Sequence, residues 1–141
     1  MTIAYLGLGS NVGDRDARLA EARRRLGERG ARLLRESAVR ETEPFGVPDQ
    51  PRFLNQVVEV EWDGSPRELL AAAKAIEAAI GRTPTYRWGP REIDVDLLLF
   101  GDVSVAEPDL VIPHPGMWER EFVIRPLGEL RPDLLAARRS G

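Results

Sequence analysis

The stretch IDVDLLLF, residues 93–100, leaves few folds open to this chain. Its branched aliphatic residues mark a strand. Strand side chains alternate between faces, so Asp94 and Asp96 share one face while Ile93, Val95, Leu97 and Leu99 share the other. One face must pack on a core, and the opposite face must accommodate two neighbouring carboxylates. Those carboxylates repel unless they reach solvent, meet cations or hold a metal. Mg²⁺ takes one or two carboxylates, keeps several waters and draws its remaining oxygens from substrate phosphates. The preceding segment, GRTPTYRWGPRE, carries Arg82, Arg87 and Arg91 beside Trp88, and guanidinium forks suit phosphate oxygens. A strand end with two solvated acids and a basic loop is the purely structural alternative. The crowding of acids, arginines and tryptophan into one short stretch favours a polyphosphate site.

The whole chain narrows the function classes. Its 141 residues suffice for one domain, 1–141, with a real core. The net charge of −3 supplies no global field toward nucleic acid or anionic membrane, so any positive site must be local. The absence of cysteine excludes disulfides, thiolate catalysis and zinc–thiolate centres. No signal peptide is visible, and no apolar run approaches the ~20 residues of a membrane span. A cytoplasmic enzyme is the default expectation. Lys74 is the single lysine among 20 basic residues. Such a bias fits a GC-rich genome or a heat-loving host, so the raw number of arginines carries no functional weight.

Taken in order, Thr2–Leu8 reads as a strand buried on both faces, followed by a turn at Gly9, Ser10, Asn11 and Gly13. The segment GLGSNVG lacks both the GxGxxG spacing and a P-loop GK[ST], which makes it a strand-to-helix turn. Leu19, Ala22 and Leu26 recur at helical spacing over about 14–29, with Arg23, Arg24 and Arg25 on a solvated face. Ala31–Arg40 is expected as a second strand. Residues 41–52, ETEPFGVPDQPR, form a long loop stiffened by three prolines. Phe53–Trp62 is a strand with Phe53, Asn55, Val57, Glu59 and Glu61 on one face. Asn55 beside Phe53 suits a flat heterocycle with a donor–acceptor edge, although an asparagine bonded to backbone is the simpler local explanation.

Ser65-Pro66-Arg67-Glu68 is a helix start with N-cap serine, proline at N1 and glutamate at N3. Leu69, Ala73, Ile76 and Ile80 form its core stripe, and Gly81 ends it. Lys74 and Glu77 lie within reach of a ligand held by the following loop, or simply face solvent. A short strand is expected at 103–105, and a loop at 110–115 holds the only histidine, His114, between two prolines. Such a histidine could pack, donate to a phosphate or act as an acid. One helical turn over 116–121 carrying Arg120, a last strand at Phe122–Pro126 and a short helical tail over 127–141 complete the chain. The order β-α-β-β-α-β with C-terminal additions is the ferredoxin-like α+β arrangement, helices packed on a mainly antiparallel sheet.

Four segments together resemble the 6-hydroxymethyl-7,8-dihydropterin pyrophosphokinase family of folate synthesis: YLGLGSNVGDR, ETEPFG with FLNQVVEVEW, GR with RWGPREIDVDLLLFGD, and LVIPHPGMWEREFV. The resemblance spans nearly the whole chain. It implies transfer of a pyrophosphoryl group from ATP to the pterin's exocyclic hydroxyl, with attack at the β-phosphorus and release of AMP. It also implies that Asp94 and Asp96 bind two Mg²⁺ ions. Metal ligation lowers carboxylate basicity, so a proton-accepting role for either aspartate ranks second. By matching segments, Asn55 meets the pterin edge and Phe53 and Phe122 sandwich its ring. Backbone around Thr42, Pro44, Phe45 and Gly46 satisfies the rest. Arg82, Arg91, His114 and Arg120 match phosphate-contacting positions; Arg82, Arg91 and His114 are expected to be catalytic together with the two aspartates. Arg87 and Trp88 match a loop that closes over both substrates, and Glu77 and Leu97 match nucleotide-contacting positions.

The chain departs from that pattern at Pro84, where a second loop arginine is usual, which bears on loop closure more than on chemistry. Lys74 stands where some members have glutamine near the adenine, and Asp109 and Val111 replace an arginine and a threonine that touch nucleotide in some relatives. Weaker nucleotide affinity is expected, and base selectivity is left open. The small-molecule partners implied are ATP and the hydroxymethyl pterin; a monomer with no nucleic-acid or membrane partner is expected. Two other classes compete. A non-catalytic pterin or nucleotide binding module would not need both aspartates, the arginines and the histidine together. A nucleic-acid or protein interaction domain on the same fold would need a basic stripe, which the negative net charge does not support.

Overall fold

The computed structural model describes residues 1–11, 14–42, 52–81 and 93–134, with only the backbone of Thr42. Seven strands and three helices follow in order: β1 (Thr2–Ser10), α1 (Arg15–Glu28), β2 (Arg32–Glu36), β3 (Arg40–Thr42), β4 (Phe53–Trp62), α2 (Pro66–Ile80), β5 (Asp94–Phe100), β6 (Val105–Glu107), β7 (Leu110–Ile112) and α3 (Glu121–Leu130). The main sheet runs β2-β4-β1-β5, with β3 on the same edge of β4 as β2. Among the described residues every pairing in it is antiparallel. That order, with α1 and α2 as the two crossovers, is the expected ferredoxin-like α+β arrangement.

The helices form where sequence chemistry asks for them. Asp14 caps α1 by accepting from Ala17 N–H at 3.1 Å. Gly30, at φ 96°, lets Ala31 N–H reach back to Leu26 C=O at 2.9 Å and closes its C-terminus. Ser65 and Glu68 form a reciprocal capping box on α2. The stripes of both helices pack on one face of the sheet with Ala4, Leu6, Leu8, Leu54, Val58, Val60, Val95 and Leu97. The opposite face is covered by α3, whose Ile124, Leu127 and Leu130 pack on Tyr5, Val57 and Leu98.

Several expectations are corrected. Gly9 and Ser10 continue β1 instead of turning, because β4 pairs with β1 through Ser10–Leu54. The expected strand 31–40 is two strands. Ser37 interrupts it: its N–H donates to Val57 C=O at 2.9 Å, but Val57 N–H donates to the Ser37 hydroxyl, which replaces a backbone carbonyl in the ladder. The short strand expected at 103–105 begins instead at Val105, and the loop expected at 110–115 opens with β7, because these two segments pair as a hairpin. Residues 115–119 make tight turns, not helix. The expected strand 122–126 is the first half of α3. A short apolar run before a proline reads as a strand, but Ile124, Leu127 and Leu130 recur at helical spacing and bury on the sheet. Pro126 lies inside this helix, where it lacks the N–H that would bond Phe122 C=O. The alternation expected for β5 also breaks. A bulge at Leu98 turns Leu98 and Leu99 toward the α3 side, while Phe100 returns to the first core. Finally, Arg23 is not simply solvated; its Nη1 donates to Gln56 Oε1 at 2.6 Å.

One ionic cluster ties α3 to the sheet. Tyr5 OH donates to the Glu59 carboxylate, and Arg35 forks onto the same group at 3.0 and 2.7 Å. Arg35 also donates to Leu130 C=O at 2.9 Å, satisfying a terminal carbonyl of the helix. Arg131 stands 5.6 Å above the Tyr5 ring. The Arg35 hydrogen bonds hold Glu59 below the ordinary glutamate range, against the opposing effect of burial. A carboxylate with a depressed folded pKa contributes stability above its unfolded pKa, about 4.3, and loses it as pH falls through the folded value. Thermal unfolding should therefore show Glu59→Gln melting below the wild type at pH 7, with the gap narrowing on acidification below about pH 4. A gap that stays constant from pH 7 to pH 3 would rule out this contribution.

Candidate active site

Asn55, Asp94 and Asp96 come together through the register of three strands. On β1, Gly9 is paired with Asn55 of β4 and with Asp94 of β5. Gly7 is paired with Val57 and Asp96 in the same way. All of these residues share the α3 face of the sheet, so an amide and two carboxylates flank a strip of β1 that has no side chains. Neighbouring strands lie about 4.8 Å apart, which puts Asn55 and Asp94 roughly 10 Å from each other across Gly9. Asn55 is buried, Phe53 half-buried next to it, and both aspartates are half-buried.

β5 is an edge strand, and two groups hold its free side. Glu77 on α2 accepts from Val95 N–H at 2.9 Å, between the two aspartates. Its other oxygen pairs with Lys74 at 3.3 Å. His114 N–H donates to Leu98 C=O at 3.0 Å, at the bulge. The His114 ring then stands near Asp96 and Arg120. Burial pushes the His114 imidazolium below the usual histidine range; Asp96 opposes that shift and Arg120 adds to it. Its Nδ1 accepts from Gly116 N–H at 3.2 Å, so the neutral ring carries its proton on Nε2, a donor.

Arg120 is the residue just before α3, without a side-chain capping bond, and its guanidinium lies across Gly116. A Cβ at Gly116 would come within 3.0 Å of Arg120 Nε. Phe122 follows, half-buried, in the first turn of α3. Arg15, at the start of α1, bridges two strands. It donates to Arg52 C=O at 2.7 Å and pairs with Glu41 at 2.9 Å, which ties β3 to the entrance of β4.

The structure thus brings Asp96, His114 and Arg120 into one group and Asn55, Phe53 and Asp94 onto one strip. Leu97 is buried in the core below the sheet. Thr42 ends β3, paired with Phe53. Pro44, Phe45, Gly46, Arg82, Arg87, Trp88 and Arg91 lie outside the described residues. Asp109 is paired with Arg67 at 3.0 and 2.8 Å. Arg67 also bonds Glu107, so it fastens the β6–β7 hairpin to the start of α2.

The sequence matches the family described as 7,8-dihydro-6-hydroxymethylpterin-pyrophosphokinase (HPPK) over residues 5–132. This chain belongs to the HPPK family. It is 46% identical to the 2-amino-4-hydroxy-6-hydroxymethyldihydropteridine pyrophosphokinase of Methylorubrum extorquens over 136 residues, covering 96% of this chain and 86% of that one. It is 44% identical to the enzyme of the same name from Bacillus subtilis over 129 residues, covering 91% and 77%. A crystal structure of Plasmodium falciparum HPPK-DHPS superposes with a TM-score of 0.68 at 17% identity, over 90% of this chain and 38% of that longer chain. That likeness shows the fold.

Sequence alone gives Gly9 no role beyond a turn; the structure sets it in β1 directly opposite Asn55, and a glycine in an otherwise bulky strand is a signal for close approach. Glu77 was expected at the nucleotide, and within the chain its carboxylate braces the strand of the aspartates. Glu77→Ala should speed hydrogen exchange at the Val95 amide by roughly 2- to 10-fold, the worth of one ordinary hydrogen bond, while Glu77→Gln retains an acceptor and most of the protection. Equal exchange in wild type and Glu77→Ala would show that the brace does not hold the strand.

Proposed function

We infer that this chain performs the reaction for which its family is named, passing pyrophosphate from ATP to the hydroxymethyl group of 6-hydroxymethyl-7,8-dihydropterin in folate biosynthesis. The hydroxyl oxygen bonds to the β-phosphorus and loses its proton, the bond from the β-phosphorus to the α,β-bridging oxygen breaks, and AMP leaves carrying that oxygen. The observation that carries this is the strand register, which sets an amide edge and two carboxylates on opposite sides of one bare strip.

In this proposal, Asn55 hydrogen-bonds the donor–acceptor edge of the pterin, and Phe53 and Phe122 cover its two faces and exclude water. Backbone groups at Thr42, Pro44, Phe45 and Gly46 complete that edge. The hydroxymethyl group then points along Gly9 toward Asp94 and Asp96. Two carboxylates on one strand face fit Mg²⁺, which needs little more from protein, and among the described residues no third acid or histidine joins them as a ligand cluster. Asp94 and Asp96 would hold Mg²⁺, two ions in this proposal, and the metal supplies charge neutralisation for the ATP phosphates. His114, as a neutral Nε2–H donor, and Arg120, with its forked donors, contact phosphate oxygens from the β5 side. Arg82 and Arg91 add further cations, and Arg87 and Trp88 close over the substrates. Catalysis of this kind rests on positioning and charge stabilisation, with little covalent work by the protein. The chain acts as one domain and a monomer, in the cytoplasm. No described helix is long and apolar enough to cross a membrane.

Phosphorus NMR on protein, ATP, Mg²⁺ and the hydroxymethyl pterin should show AMP and a pterin diphosphate, both dependent on pterin. ADP as the sole nucleotide product would overturn the β-phosphorus attack. Asp96→Ala should lower turnover by about a thousandfold or more, the several kcal/mol expected of metal-assisted charge stabilisation, with an unfolding midpoint close to wild type. Substantial residual turnover would refute the metal role.

A further inference from the structure

We propose that Gly9 is a specificity-determining residue of the pterin site: the side chain it lacks is the space into which the Asn55 amide lies, and that placement sets the heterocycle edge relative to Asp94 and Asp96. This rests on the pterin assignment above and adds a residue to it.

The demand for glycine at position 9 is spatial. Among the described residues only Gly30 and Gly101 have positive φ, so the Gly9 backbone is ordinary strand that alanine adopts without strain. A Cβ at Gly9 would stand 2.9 Å from Asn55 Oδ1, closer than a carbon and an amide oxygen tolerate. Its next neighbours, Phe53 Cδ1 at 3.6 Å and Leu54 C=O at 3.8 Å, are at ordinary contact distance. The one atom that must yield is therefore the end of the Asn55 side chain. Gly7, two residues back on the same face, carries no such demand, since a Cβ there would meet only the Leu98 side chain at 3.6 Å or more.

Asn55 itself is buried and sits opposite Gly9 in the β1–β4 ladder. Buried amides have few alternative partners, so a displaced Asn55 cannot simply re-form its bonds to a ring edge. Asp94 flanks the other side of Gly9. The bare backbone of Gly9 thus acts as a spacer. A flat bicycle held at Asn55 presents its hydroxymethyl substituent to the carboxylates only if the amide lies against β1. A ligand of the same edge chemistry but shorter reach would bind without reaching them.

The test is a double-mutant cycle on steady-state kinetics, following AMP release with 6-hydroxymethyl-7,8-dihydropterin and ATP varied in turn. Gly9→Ala should raise KM for the pterin by about tenfold, the cost of a buried hydrogen bond misplaced, and leave KM for ATP within about twofold of wild type. Asn55→Ala should raise the pterin KM similarly, and Gly9→Ala added to Asn55→Ala should cost nothing more, because the group it displaces is already gone. Full additivity of the two substitutions, or an equal loss of ATP affinity, would overturn the proposal. If Gly9→Ala does not fold but Gly9→Ala/Asn55→Ala does, the same coupling is shown in stability. If neither folds, the Cβ clashes with the strand and the proposal fails. A wild type that neither binds nor turns over the pterin would defeat the pterin assignment and this proposal with it. A competent wild type matched by Gly9→Ala would defeat this proposal alone.

Discussion

β1 is hydrogen-bonded on both sides along most of its length, and everything else in the molecule is positioned by that fact. Its antiparallel pairing with β4 brings in Asn55; its antiparallel pairing with β5 brings in the two aspartates. Residues almost forty positions apart in sequence meet because each is in register with the same glycine. A one-residue slip of either partner would move its polar residues to the opposite face, into the core with Leu6, Leu8 and Val58. Burial of that apolar face therefore enforces the geometry of the polar one.

The bulge at Leu98 shows how the sheet serves both ends of the site. Ahead of it, β5 keeps strict alternation and points Asp94 and Asp96 to one side. At the bulge, Leu98 joins the α3 core, and its C=O receives His114 N–H at 3.0 Å. The histidine, the arginine that follows it and the start of α3 are thus hung from a local irregularity of the strand that carries the aspartates. Bulges next to active sites re-aim a strand in this way. Glu77 completes the arrangement from the other side by occupying the Val95 N–H, so the edge strand is held along its outer rim by one carboxylate and one backbone donor.

Much of this was legible in the residues. The capping box at Ser65, the core stripe of α2 and the alternation of β4 are local signals, and each local signal agreed with the final packing. Asp94 and Asp96 stand out because two acids at fixed parity on a strong strand need a reason, whereas Asn55 gains its role only from the family resemblance. What failed had a common cause, dependence on a distant partner. The break at Ser37 exists because its hydroxyl meets Val57 across the sheet. α3 is a helix in spite of Pro126 because the sheet offers an apolar face for Ile124, Leu127 and Leu130. The role of Gly9 needs the position of Asn55, which no reading of a single strand supplies.

Arginine usage separates site from scaffold on physical grounds. Arg24 and Arg25 pair within α1, Arg23 reaches Glu36 as well as Gln56, Arg40 meets Glu129, and Arg67 holds the β6–β7 hairpin through Glu107 and Asp109. These guanidinium groups neutralise carboxylates on their own or neighbouring elements, and exposed pairs of this kind contribute little to stability. They sit in an arginine-rich chain whose net charge is nevertheless −3. The Asp109–Arg67 pair balances that acid within the chain. The acid there is spent on anchoring the hairpin just ahead of His114. Arg120 differs from the scaffold arginines in how it is placed. Its guanidinium lies on the bare backbone of Gly116 and close enough to His114 to lower that ring's proton affinity. A guanidinium laid on Gly116, a half-buried imidazole that accepts from the Gly116 N–H, and the Asp96 charge acting on that ring gather opposite charges at one end of β5.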